Sequence, residues 1–275
     1  MKKGLEMSEA NEHLVLEKAT LKAIHRCIER KNQALEQQFK ALKAQDKKLA
    51  EVVATVLPSV VSIYVINWQT QKQIASGSGF FVDSDAIITN YNLVEKIADE
   101  NSIYEEDEGE LVLVATDRGE LRIAQVVFTG NSELDLAILL ATDYTIDPQT
   151  GVETESGDPE YPVLEFCPYV DAGQRVIAVA HPVEEFSSLI SQGVIQQIRY
   201  PDNYGEKEDE IGVIILETNK AINSVYSGGP LINLDGEVVG VNRSKKENGE
   251  DVNLAISSEV LDEFLDKFAE SFEVD

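Results

Sequence analysis

Apolar residues follow two different periods along the 275-residue chain, and the change from one to the other divides it near Pro58. Before that point Leu14, Leu21, Ile28, Leu35, Leu42, Leu49 and Val56 recur every seven residues, with no proline or glycine from Leu5 to Leu57. The pattern predicts one long helix over residues 1–57, whose striped part would reach about 65 Å at 1.5 Å per residue. The companion positions are mixed: Ile24, Val52, Phe39 and Val53 are apolar, but Glu17, Lys31, Gln38 and Gln45 stand where a regular two-stranded coil wants leucine. A narrow stripe held in a strict seven-residue period favours a coiled-coil or helix-pair contact. Its alternative is an arm lying along its own domain. The expectation taken is association through residues 14–56, with a second copy or another subunit.

Beyond Pro58 the apolar runs shorten to strand length. They are Val60 to Ile66, Gly79 to Val82, Ala86 to Thr89, Leu111 to Ala115, Leu121 to Thr129, Leu136 to Leu140, Arg175 to Ala180, Leu189 to Ile198, Gly212 to Thr218, Pro230 to Asn233 and Val238 to Asn242. Asp143 to Tyr161, rich in acids with proline and glycine, reads as a loop between two groups of strands. Asp235-Gly236 between apolar flanks signals a tight hairpin. The last helix, over 258–273, would be capped by Ser257 or Ser258 and carry Val260, Leu261, Phe264, Leu265, Phe268 and Phe272 on one face.

Five segments of this second part carry a resemblance: PSVVSIYV from Pro58, ASGSGFFVDSDAIITNYNLVE from Ala75, SELDLAILL from Ser132, AGQRVIAVAHP from Ala172, and ETNKAINSVYSGGPLINLDGEVVGVN from Glu217. In order and spacing they resemble the HtrA/DegP-type branch of the trypsin-like serine proteases, from Pro58 to about Phe268. The resemblance implies a mostly β fold: a trypsin-like double six-stranded β-barrel over 58–275, with a long N-terminal helix and a short C-terminal one. The first barrel would span about 58–142, the linker 143–161 and the second barrel 162–256. It puts Ser227 at the nucleophile, Asp135 at the triad acid, and Val225 with Ser227 at the oxyanion hole. Ala221, Ile222 and Val241 would wall the substrate pocket, with Tyr226 and Arg243 narrowing its entrance. No cofactor and no metal is implied. Relatives usually continue into PDZ domains, and the N-terminal helix is the candidate to replace them.

Two departures bear on chemistry. The family's Thr-Asn-x-His-Val-Val pattern reads Thr89-Asn90-Tyr91-Asn92-Leu93-Val94 here, so Asn92 occupies the histidine place. An amide cannot take the serine proton and return it to a leaving amine near neutral pH. His181, in the AVAHP loop, is the one candidate for a displaced base; His13 and His25 fall in the N-terminal helix. The second departure is Val225, where the family has glycine two residues before the serine. A β-branched side chain resists backbone angles that glycine accepts, and one lost oxyanion donor costs roughly 3 to 4 kcal/mol.

Charge narrows the partners. The chain carries 23 basic and 50 acidic side chains; 11 and 8 of them precede Pro58, leaving 12 and 42, net −30, in the barrel region. Such a surface repels phosphate backbones and anionic membranes, so neither direct nucleic-acid nor membrane binding is expected. No apolar run approaches the roughly 20 residues of a bilayer span, and the N-terminus lacks the apolar core of a signal peptide, which points to a cytoplasmic protein. Cys27 and Cys167 are read as thiols rather than a disulfide. The expected function is an HtrA-like homologue, catalytically impaired, that binds protein or peptide as a scaffold subunit in a homo-oligomer or hetero-complex. The alternatives are an active or partner-activated endopeptidase using Ser227, and an acidic decoy for a basic protein.

Overall fold

The computed structural model describes residues 26, 29, 30, 33, 36, 37, 40, 47–67, 69–70, 72–98, 110–146, 153–155, 161–180, 190–201, 212–219, 226–247 and 250–271. Six strands close the first barrel: β1 (Val60–Asn67), β2 (Lys72–Phe81), β3 (Ala86–Thr89), β4 (Glu110–Ala115), β5 (Leu121–Thr129) and β6 (Ala137–Ile146). They run β3-β2-β1-β4-β5-β6, and β6 pairs back on β3 through Ala86↔Leu140 to Thr89↔Ala137. The short β7 (Glu153–Glu155) adds to the outside of β6. The second barrel closes in the order β10 (Ile215–Thr218), β13 (Glu250–Ser257), β12 (Val238–Glu247), β11 (Pro230–Ile232), β8 (Arg175–Val179), β9 (Ile190–Arg199). Every pairing of these strands is antiparallel, so each barrel buries one face of its strands and removes its edges by closure.

The apolar runs mark the strands well, with instructive exceptions. β6 continues to Ile146, into the segment read as linker, because Tyr144 to Ile146 have β7 to pair with. β12 runs on to Glu247 and β13 follows as its hairpin partner, Arg243↔Leu254 to Glu247↔Glu250. Neither extension is a continuous apolar run, so neither stands out in the sequence. A helix, α2 (Tyr91–Ala98), follows β3 where the strand pattern predicts none.

One core cluster joins the two barrels. Val60, Phe80, Ile88, Leu136 and Ile138 of the first pack with Ile177, Val179, Ile232, Val241 and Ile256 of the second. Two helices seal this joint. Helix α1 (Lys47–Val56) inserts Leu49, Val53 and Val56, and ends in a 3₁₀ turn at Leu57–Ser59 where Pro58 removes a backbone donor. Helix α3 (Ser258–Glu270), capped by the Ser257 hydroxyl accepting from the Glu259 N–H, adds Val260, Leu261 and Phe264. Its Phe264 and Phe268 meet Phe128 of β5 at ring-centroid distances of 5.1 and 5.7 Å. Of the seven-residue stripe, Leu49 and Val56 are described, and both are buried against the barrels. Arg26, Glu29, Arg30, Gln33, Glu36, Gln37 and Lys40 are helical and exposed. Leu14, Leu21, Ile28, Leu35 and Leu42 lie outside the described residues.

The linker returns to the second barrel through Tyr161, whose ring stacks on Phe81 at 4.2 Å and whose hydroxyl donates to the Glu120 carboxylate. Arg118 and Arg122 lie 5.1 and 5.4 Å from the centroid of the same ring. This anchor holds the start of the second half against the first.

Candidate active site

The two barrels touch through glycine. The Ser78 N–H of β2 donates to the Ser227 carbonyl at 2.9 Å, tying the nucleophile loop to the opposite wall. A Cβ on Gly228 would lie 2.2 Å from the Ser78 carbonyl and 2.4 Å from Thr89 Oγ1, and its φ is +83°. A Cβ on Gly77 would lie 2.9 Å from the Ser227 carbonyl. Only glycine allows these backbones to approach so closely, which explains Gly77, Gly228 and Gly229, whereas Gly79 makes room for Ile63 and Ile87 inside the first barrel. Asn242 completes the loop: its carbonyl accepts from the Gly228 N–H, and its side-chain amide donates to the carbonyls of Gly229 and Pro230 at 3.0 and 2.9 Å.

Asp135 stands at the end of the turn before β6. The Asn131 side chain accepts from the N–H groups of Glu133 and Leu134, and the Asp135 N–H donates to the Asn131 carbonyl. This turn leaves Asp135 at φ 53°, a left-handed conformation that aspartate tolerates better than most residues. Its carboxylate is 1% exposed. Oδ1 accepts from the Asn92 N–H at 2.9 Å, and Oδ2 from the Asn92 side-chain amide at 3.2 Å. Arg243 Nε donates to the same Oδ2 at 2.9 Å. Burial dominates these stabilising contacts and pushes the Asp135 carboxyl up to about 6, with the Asn92 N–H and the Arg243 charge opposing it.

Asn90 links acid and nucleophile. Its side-chain amide donates to the Asp135 carbonyl at 3.1 Å, and its Oδ1 accepts from the Ser227 hydroxyl at 2.5 Å. Ser227, Asp135 and Asn92 are therefore brought to one place, but the serine proton points at an amide oxygen. Val225, Ala221, Ile222 and His181 lie outside the described residues. Val241 is fully buried in the joint core, so its side chain faces no open pocket. Tyr226 does not narrow an entrance: it is buried among Val176, Ala178, Leu216 and Leu231 of the second barrel. Arg243 is likewise turned toward Asp135 and the turn before β6 rather than across a pocket mouth. Sequence reasoning assigns neither Asn90 nor Asn242 a role; the Thr89-Asn90 pair is visible in the chain, but nothing in it tells that its amide faces Ser227. No cluster of histidine, cysteine and acidic groups able to hold a metal occurs among the described residues.

Comparison with known proteins agrees with this geometry. Residues 77–241 match the trypsin-like peptidase domain family. Serine protease Do-like HtrB of Bacillus subtilis is 27% identical over 248 residues, covering 82% of this chain and 48% of the relative. Serine protease HTRA4 of Mus musculus is 30% identical over 230 residues, covering 81% of this chain and 41% of that protein. The chain thus spans less than half the length of these two relatives. Among solved structures, the M. tuberculosis protease Rv3671c in its active form superposes with a TM-score of 0.56 at 23% identity, over 78% of this chain and 83% of the other, which is a likeness of fold.

Proposed function

Because this chain belongs to the HtrA-type trypsin-like serine protease family, we propose that it is a catalytically impaired member that works as a protein- or peptide-binding scaffold subunit. The observation that carries the reading is the Ser227 hydroxyl donating to Asn90 Oδ1, with Asn92 rather than an imidazole against Asp135. Acyl transfer needs a group that removes the serine proton and later delivers it to the leaving amine. Neither amide does so, and the Asp135 carboxylate is already engaged by Asn92 and Arg243. Loss of a triad base costs up to about 10⁶ in turnover. What the fold retains is a barrel pair preceded by a helical segment, and a scaffold role uses both.

The test compares unmodified protein with Ser227→Ala in fluorophosphonate labelling and casein cleavage. The expected result is no difference between them. Labelling that disappears in Ser227→Ala would establish a working nucleophile and overturn the reading. Sedimentation of the full chain addresses the scaffold part: a monomer at all concentrations, alone and with candidate protein partners, would remove it.

A further inference from the structure

We propose that Arg243 is the resident counter-cation of Asp135 and a second lock on this centre, independent of Asn92. The inference rests on the reading of Asn92 as the occupant of the histidine place. Arg243 Nε and the Asn92 amide converge on a single oxygen, Asp135 Oδ2, at 2.9 and 3.2 Å. That oxygen faces the side chain of residue 92, so it is the one that would orient an imidazole there and stabilise its protonated form. With Arg243 bound, the acid's charge is already spent on a permanent cation, since a guanidinium does not deprotonate in proteins.

The placement of Arg243 is firmly built. Its remaining donors reach the Glu133 and Ser132 carbonyls at 2.9 and 3.0 Å, so one planar fork spans the Asp135 carboxylate and the turn before it. The side chain is 17% exposed and crosses from β12 of the second barrel to the first. A base installed at position 92 would therefore meet a fixed like charge across a shared oxygen, so its protonated form would be less favoured than with Arg243 removed, while the Asp135 carboxylate and Glu95, one turn on along α2, pull the other way. Asn92 itself is exposed, so burial does not add to that effect.

The measurement is the NMR titration of the imidazole introduced by Asn92→His, alone and combined with Arg243→Gln or with Arg243→Lys, its resonances assigned by their absence from unmodified protein. With Arg243 in place, the introduced ring is expected to titrate no higher than about 7 although it adjoins a carboxylate, because the guanidinium offsets the pull of Asp135 and Glu95. Arg243→Gln should raise it by about one to two pH units, while Arg243→Lys, which keeps the charge without the fork, should restore most of the depression. A role confined to stapling the turn predicts that lysine fails like glutamine and that both leave the titration of the new ring where it was; that result overturns the proposal. Should the glutamine variant not fold, Asn92→His alone decides: titration above about 7 means that Asp135 is free to serve a base, and the lock does not exist. Fluorophosphonate labelling of unmodified Ser227 would defeat the impaired-protease reading while leaving the imidazole titration to stand or fall by itself.

Discussion

The wall behind Ser227 and the acid beside it are held together in different ways. At the wall, backbone meets backbone: Ser78 N–H to the Ser227 carbonyl, with Gly77, Gly228 and Gly229 leaving no room for side chains. At the acid, the same fold presents Asn92, Asn90 and Arg243 around Asp135, all bonded and none able to shuttle a proton at neutral pH. The contrast teaches that the nucleophile loop is held by the joint between the barrels, whatever the site does. Steric tolerance there is near zero and any change threatens the fold. The acid side tolerates new side chains provided every buried polar group finds a partner.

Gly228→Ala breaks the first half of this comparison most severely. Its Cβ would overlap the Ser78 carbonyl and Thr89 Oγ1, so a loss above about 4 kcal/mol is expected in urea denaturation, or no soluble protein. Gly173→Ala is the control: φ is +89° but nothing lies within 4 Å, and the loss should stay near 1–2 kcal/mol from backbone strain alone. A Gly228→Ala variant no worse than Gly173→Ala would deny the close approach.

Asp135→Asn sharpens the second half. The carboxyl sits at about 6 in the folded chain against an ordinary 3.8, so its charged form is disfavoured by folding. Stability from this group is greatest below about pH 4, declines as pH rises through 6, and is level beyond. From pH 5 to pH 7 unmodified protein should lose about 1 kcal/mol relative to Asp135→Asn, measured by denaturation at each pH. A parallel pH course in the two proteins would contradict this. Smallest of all is Lys48→Ala, which removes an exposed bridge between α1 and Asp235 in the β11–β12 turn and should change stability by less than about 0.5 kcal/mol. A larger loss would mean that α1 is held to the second barrel by charge rather than by Leu49, Val53 and Val56.

Sequence carried the fold far because its strands alternate or run apolar between turn residues, and because Ser227, Asp135 and Asn92 fall in strings with fixed spacing. It carried less where structure depends on pairing. β13 is recognisable only as the partner of β12, and its polar residues Asp251 and Asn253 pair with Lys246 and Ser244 in the ladder. The acid's surroundings were least legible. Arg243 lies far along the chain from Asp135, on another barrel, and no local pattern tells which way a long side chain will turn. The seven-residue stripe shows the opposite limit, since Leu49 and Val56 satisfy a coiled-coil period and a barrel-facing helix equally well.

The contact of Phe264 and Phe268 with Phe128 has a consequence for synthesis on the ribosome. Strands β1 to β6 are complete by Ile146, yet the face of β5 that carries Phe128 stays uncovered until α3 emerges. At about 5–20 residues per second, the stretch from Ile146 to Glu270 takes roughly 6 to 25 s. The nascent first barrel therefore passes through a stage in which Phe128 still lacks both of its aromatic neighbours.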